Sequence, residues 1–233
     1  MVVDRLAPTS LLDGLPADVE IVDAAKIPYG RSMAQEEINR ILIDRARQGK
    51  FVVRLKGGDS FLFGRGGEEA AACAAAGIPV IAVPGVTSAL AAPAAAGIPA
   101  THRGVSQDLH IVSAHVAPGD PRSTVDWAGL ARAGGTIVAL MGVERLAAVA
   151  DALIAHGRSA DTPVAVVQEA TLPGQRAVTG TLATIAVSAA EAGVRPPAVT
   201  IIGEVVQTAR ELDILHTGNQ FENHRLTTGR DLP

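Results

Sequence analysis

Apolar residues in this chain fall in short runs, separated by stretches where they recur every three or four positions. The first pattern fits strands buried on both faces and the second fits helices. In the first half the runs predict strands at Met1–Val3, Val19–Asp23, Phe51–Lys56 and Val80–Val83. In the second half they predict strands at Leu109–Ala114, Thr136–Met141, Pro163–Gln168, Arg176–Thr179 and Ala198–Ile202. Helices are predicted between them. One runs to Gln48 with Ile38, Ile41, Leu42 and Ala46 on one face, and another spans Gly67–Ala76. Asp126–Ala133, Val143–His156, Leu182–Ala192 and Val205–Leu212 complete the set.

The punctuation agrees with this pattern. Ser32-Met33-Ala34-Gln35 reads as a capping box that opens the first helix, and Gly49 reads as its stop. Ala-Ala-Ala-Gly-Ile-Pro occurs at 74–79 and again at 94–99, one helix stop used twice. Strands alternating with helices imply an α/β protein. The polar stretch 104–108 reads as a hinge. It divides an N-terminal α/β domain, 1–105, from a C-terminal one, 106–215, and leaves a polar, disordered tail at 216–233.

Composition narrows the function classes. Hydrophobic residues make up 48% and aromatics only 3%, so the core is built from Ala, Val, Leu and Ile. A net charge of −4 offers no basic footprint for nucleic acid. One cysteine, Cys73, excludes an internal disulfide and fits a reducing, cytoplasmic setting. Its alanine-rich surroundings point to a buried thiol. No apolar run reaches the ~20 residues of a membrane span, and no signal peptide opens the chain. No Cys/His spacing suggests a metal.

Candidate chemistry centres on Arg54 to Glu69, where a strand enters a loop with many glycines and a helix leaves it. Such loops, at the carboxyl end of a strand and before a helix, are where open α/β sheets hold ligands. The plainer reading is an ordinary turn in which Asp59 caps. No Gly-Lys-Ser/Thr follows, so the loop is not a P-loop. Asp4 and the hydroxyls of Thr87 and Ser88 also follow strands; a surface turn for the first and a helix cap for the others explain them equally well.

The literal strings say more. Leu-Lys-Gly-Gly-Asp at 55–59 and Phe-Gly-Arg-Gly-Gly-Glu-Glu at 63–69 resemble the uroporphyrinogen-III C-methyltransferases, of the tetrapyrrole methylase superfamily. Asp-Arg-Leu at 4–6, Ile-Pro-Ala-Thr-His-Arg at 98–103, Met141-Gly142 and Ala170-Thr171 with Gln175-Arg176 extend the resemblance over about Val2 to Arg210. It implies two α/β domains with the active site in the cleft between them. It also implies S-adenosylmethionine as methyl donor, uroporphyrinogen III as substrate, precorrin-2 as product and a homodimer. The cofactor would lie on Gly57, Gly58, Asp59, Leu62, Thr87, Ser88, Met141 and Ala170. Asp4 would be the proton acceptor and Lys26 a proton donor. Arg5, Arg31, His102 and Arg103 would face a polycarboxylate substrate.

The chain also departs from the family. Ser60 replaces the usual Pro, Ala170 replaces a Gly, and around Lys26 the residues Ala25, Ile27 and Arg31 differ. The family's opening strand and Gly-Ala-Gly-Pro-Gly-Asp loop have no counterpart before Val2. A chain starting at Met1 is therefore expected to be poorly stable and to bind cofactor weakly. Two other readings stay open: another methyltransferase of the superfamily, or a cofactor-binding remnant without activity.

Overall fold

The computed structural model describes residues 1–24, 33–216 and 218. The chain forms two compact units, Met1–Thr87 and Ser88–Pro233, and each carries its own sheet.

In the first unit β1 (Val2–Val3) is the central strand of three. It lies between β2 (Val22–Asp23) and β3 (Arg54–Leu55), parallel to both. β2 and β3 are shorter than the apolar runs that announced them. The predicted strand Val80–Val83 does not form, and Ile81 is 89% exposed. An extended segment becomes a strand only by pairing. Among the described residues β3 has no second neighbour, and this segment joins no ladder.

Two helices cover the small sheet. α1 (Gln35–Arg47) buries Gln35, Ile38 and Leu42, at helical spacing. It begins at Ala34 with no side-chain cap, while Ser32 of the expected capping box lies outside the described residues. α2 (Gly66–Ala75) buries Cys73 among Val2, Ala24, Ile38 and Leu42. That burial pushes the thiol above its ordinary pKa, with Glu69's charge adding to the effect. The buried reading of Cys73 therefore holds.

In the second unit α3 (Ser88–Ala95) precedes β4 (Leu109–Ser113), α4 (Trp127–Ala133) and β5 (Thr136–Leu140). Then come α5 (Leu146–Ala155), β6 (Pro163–Gln168), β7 (Arg176–Thr181), α6 (Ile185–Glu191), β8 (Ala198–Ile202) and α7 (Val205–Glu211). The strand order is β4-β5-β8-β6-β7. β4 and β5 are parallel, and β8 runs antiparallel to both β5 and β6. The carboxyl ends of β4, β5 and β6 therefore share one edge. Ile137, Val164, Val166, Leu153 and Ile185 are fully buried between sheet and helices.

Local rules place the helix ends. The Asp126 side chain accepts the Gly129 N–H at 2.8 Å and opens α4. Both Ala-Gly-Ile-Pro stops close alike: Gly77 N–H bonds Ala74 and Ile78 N–H bonds Cys73; Gly97 bonds Ala94 and Ile98 bonds Pro93. Both glycines are left-handed, as this closure requires. The stretch 104–108 is tied down within the second unit. Ser106 is buried, and its hydroxyl accepts from Thr136 Oγ1 at 3.0 Å. At the tail, His216 N–H bonds the Ala96 carbonyl and Gly218 bridges Arg176; residues 219–233 lie outside the described ones.

Candidate active site

The loop after β3 is built from backbone. Gly58 is left-handed, with φ 68°, and exposed. A Cβ at Gly57 would run into the Leu6 carbonyl, and one at Gly85 into the Gly58 carbonyl. Three turns thus touch through glycine: Asp4–Leu6, Gly57–Asp59 and Pro84–Val86. Asp59 fastens them. Its Oδ1 accepts the N–H groups of Phe61 and Leu62 at 2.9 and 3.1 Å, and its Oδ2 accepts Gly85 N–H at 3.1 Å. The Gly85, Phe61 and Leu62 amides hold its carboxyl below the usual range. The chain then wraps the Ser60 carbonyl, where Gly64 and Gly66 leave no room for a Cβ.

Beside this loop stands a charged cluster. Asp4 follows β1, accepts the Arg5 amide on Oδ1 at 3.0 Å, and is about one-third exposed. Arg54 Nη2 lies 3.8 Å from its Oδ1, and Lys56 Nζ lies 3.9 Å from its Oδ2. Both cations also reach Glu69 Oε1, at 3.2 and 3.4 Å. Gln35 Nε2 donates to the same oxygen at 3.1 Å. Glu69 is buried and Lys56 and Arg54 are largely so, with side chains 6%, 8% and 12% exposed. Two carboxylates and two cations balance, which is what makes their burial tolerable.

The sequence reading singled out Asp4 from this cluster and missed the rest. Gln35 was explained as a capping residue, and Arg54, Lys56 and Glu69 as parts of strings. The available signal was spacing. Arg54 and Lys56 lie two apart on a predicted strand, hence on one face of it.

In the second unit, Met141 follows β5 and Ala170 follows β6, so both lie at the edge where those strands end. Met141 is left-handed (φ 60°) and 48% exposed, so it is not a packing methionine. Around Ala170 the strain falls on its neighbours: Glu169 has φ 49° and Thr171 φ 68°. A β-branched residue in that region is rare and is found at over-determined sites. Thr171 N–H donates to Gln175 Oε1 at 2.7 Å, which helps hold it there. Alanine at 170 therefore carries none of the left-handed conformation.

The other expected residues divide as follows. Arg5 is exposed beside Asp4. Thr87 immediately precedes α3 and Ser88 is its first residue. His102 and Arg103 lie on a surface turn closed by His102–Ser106 backbone bonds, with His102 Nδ1 3.0 Å from the Arg103 carbonyl. Lys26 and Arg31 lie outside the described residues. Among the described residues no three His, Cys, Asp or Glu side chains group as a metal site, and no helix is long and apolar enough to cross a membrane.

A profile of the tetrapyrrole (corrin/porphyrin) methylases matches residues 2–186. The chain belongs to this family. It is 46% identical over 221 residues to an S-adenosyl-L-methionine-dependent uroporphyrinogen III methyltransferase of Methanosarcina barkeri, covering 95% of this chain and 87% of that protein. It is 45% identical over 222 residues to siroheme synthase 1 of Cronobacter sakazakii, but covers 46% of it; the chain spans about half of such relatives. Among solved structures, uroporphyrin-III C-methyltransferase of Thermus thermophilus, complexed with S-adenosylhomocysteine, is similar at 40% identity. Its TM-score is 0.72, with 89% of this chain and 87% of that one covered. A cobalt precorrin-4 methyltransferase aligns at 28% identity with TM-score 0.77, covering 88% and 84%. The expected tetrapyrrole methylase fold, with its two sheets, is thus the fold found.

For this methylase the loop geometry fits a ligand laid along backbone. The Gly58 and Gly85 backbones meet with no side chain between them, and the Pro84–Val86 turn beside them is exposed. Asp59, fully engaged by amides, shapes this wall.

Proposed function

We propose that the chain methylates uroporphyrinogen III at C-2 and C-7, using S-adenosylmethionine, to give precorrin-2 for sirohaem or cobalamin synthesis. One observation carries this reading beyond family membership. β1 and β3 are parallel neighbours, so the Asp4 turn and the Gly57–Asp59 loop sit side by side, in contact through Gly57 and Leu6. An acid and a backbone cradle are brought to one place.

When bound, S-adenosylmethionine supplies a methyl group on a sulfonium, whose sulfur leaves with the bonding pair. Gly57, Gly58, Asp59, Leu62, Thr87, Ser88, Met141 and Ala170 would hold it. A pyrrole carbon that takes up the methyl leaves the ring system with one proton in excess. The Asp4 carboxylate accepts that proton. Lys26 is assigned as donor on the family resemblance. Arg5, Arg31, His102 and Arg103 offer charge to the substrate's carboxylates. The enzyme works in the cytoplasm as a homodimer and needs no metal.

The direct test is mass-spectrometric detection of dimethylated product from uroporphyrinogen III. Gly58→Val should abolish cofactor binding by calorimetry; binding as tight as wild type would place the cofactor elsewhere. A monomer in sedimentation at micromolar concentration would refute the dimer.

A further inference from the structure

The four charges of the Asp4 cluster have a division of labour that the reaction alone does not require. Arg54 and Lys56 approach different oxygens of the Asp4 carboxylate, while the Arg5 amide fixes Oδ1 from the chain side. The two cations thus stand 3.8 and 3.9 Å from the two carboxylate oxygens, at ion-pair distance, while the Asp4 side chain stays about one-third exposed. Lys56 also precedes Gly57, whose backbone abuts Leu6, so it ties the acid's turn to the cofactor loop. Lys56 cannot wander, because Glu69 lies 3.4 Å from its ammonium. Glu69 is itself fixed by Gln35 and Arg54 on the same oxygen.

We propose that Lys56, anchored by buried Glu69, is a positioning residue that holds the Asp4 carboxylate in its proton-accepting orientation. This rests on the reading of Asp4 as acceptor. The step it serves is simple: one C–H bond of the methylene bridge beside the methylated ring breaks, its electron pair neutralises the positive charge left by methylation, and the proton goes to a carboxylate oxygen of Asp4. Misplacing a reacting group by about 1 Å costs ~100-fold in rate, while leaving binding largely intact.

The experiment uses the full chain, with Asp4→Asn, Lys56→Met, Lys56→Gln and Lys56→Arg compared. Lys56→Met should lower kcat by roughly 100-fold and change KM for uroporphyrinogen III little; Lys56→Arg should restore most of the rate. A second readout needs neither cofactor nor substrate. The Arg5 amide donates to Asp4 Oδ1, so its NMR resonance reports the carboxylate's orientation. It should move in Lys56→Met and return in Lys56→Arg. Lys56→Gln, which keeps a donor without the charge, serves if Lys56→Met fails to fold, and should move the resonance likewise. If Asp4→Asn turns over normally, the acceptor reading falls and the inference with it. If Asp4→Asn is inactive but Lys56 variants keep kcat, or leave the Arg5 resonance in place, the inference alone is overturned.

Discussion

The two units solve the same problem, a sheet covered by helices, with opposite materials. The second unit has five strands of five or six residues, and its centre is Ile, Val and Leu at zero exposure. The first has three strands of two residues, and beside its small apolar core it holds a charged cluster around buried Glu69. Apolar burial is non-directional and gives stability. Buried charge gives little net stability and fixes direction, because each ion must meet a partner of the right geometry. The unit that carries the acid is thus specified by orientation, and the other by packing.

Amide exchange should separate the units most widely. Amides of β6 and β8 should exchange on the order of a thousandfold more slowly than those of β1 and β3; equal protection would erase the contrast. Glu69→Leu should destabilise the first unit by about 3–5 kcal/mol in denaturant unfolding, because it leaves buried cations without their anion. If Glu69→Leu instead stabilises, the cluster is paired well enough without it. Leu153→Ala in the second unit should cost ~2–5 kcal/mol through the cavity it opens, with no effect on the Arg5 amide resonance. The smallest effect is at the surface. Hydrogen bonds from Arg45 and then Lys50 hold the Glu20 carboxyl down at about 2. A depressed carboxyl stabilises fully above its unfolded pKa and loses that contribution as pH falls through its folded one. Wild type should therefore lose slightly more melting temperature than Glu20→Gln between about pH 4.5 and 2, and the two should run parallel above that window.

The second unit was the more legible in sequence, for the same reason. Long buried strands write themselves as apolar runs, and β5, β6 and β8 lie within a residue of where the runs put them. Glycine stops were equally plain, since only a left-handed residue closes that turn. The first unit misled because an apolar run states that a strand is possible, not that a neighbour is there: Val80–Val83 has the composition and, among the described residues, no partner strand. Gln35 misled because Ser-x-x-Gln is satisfied locally on paper, whereas the folded side chain turns to Glu69, 34 residues on. Left-handed Met141, Glu169 and Thr171 left no mark, because tertiary context imposes what their side chains oppose. Asp4 and the Gly57–Asp59 loop were found through their strings; their contact through Leu6 was not legible at all.

Asp59 has a consequence of its own. Its carboxylate is committed to three amides from two turns before any ligand arrives. The loop's shape is then settled by the chain, and an incoming molecule need not spend its affinity freezing it. If the loop holds the cofactor as proposed, it would select by outline, admitting whatever shares the shape of its ligand.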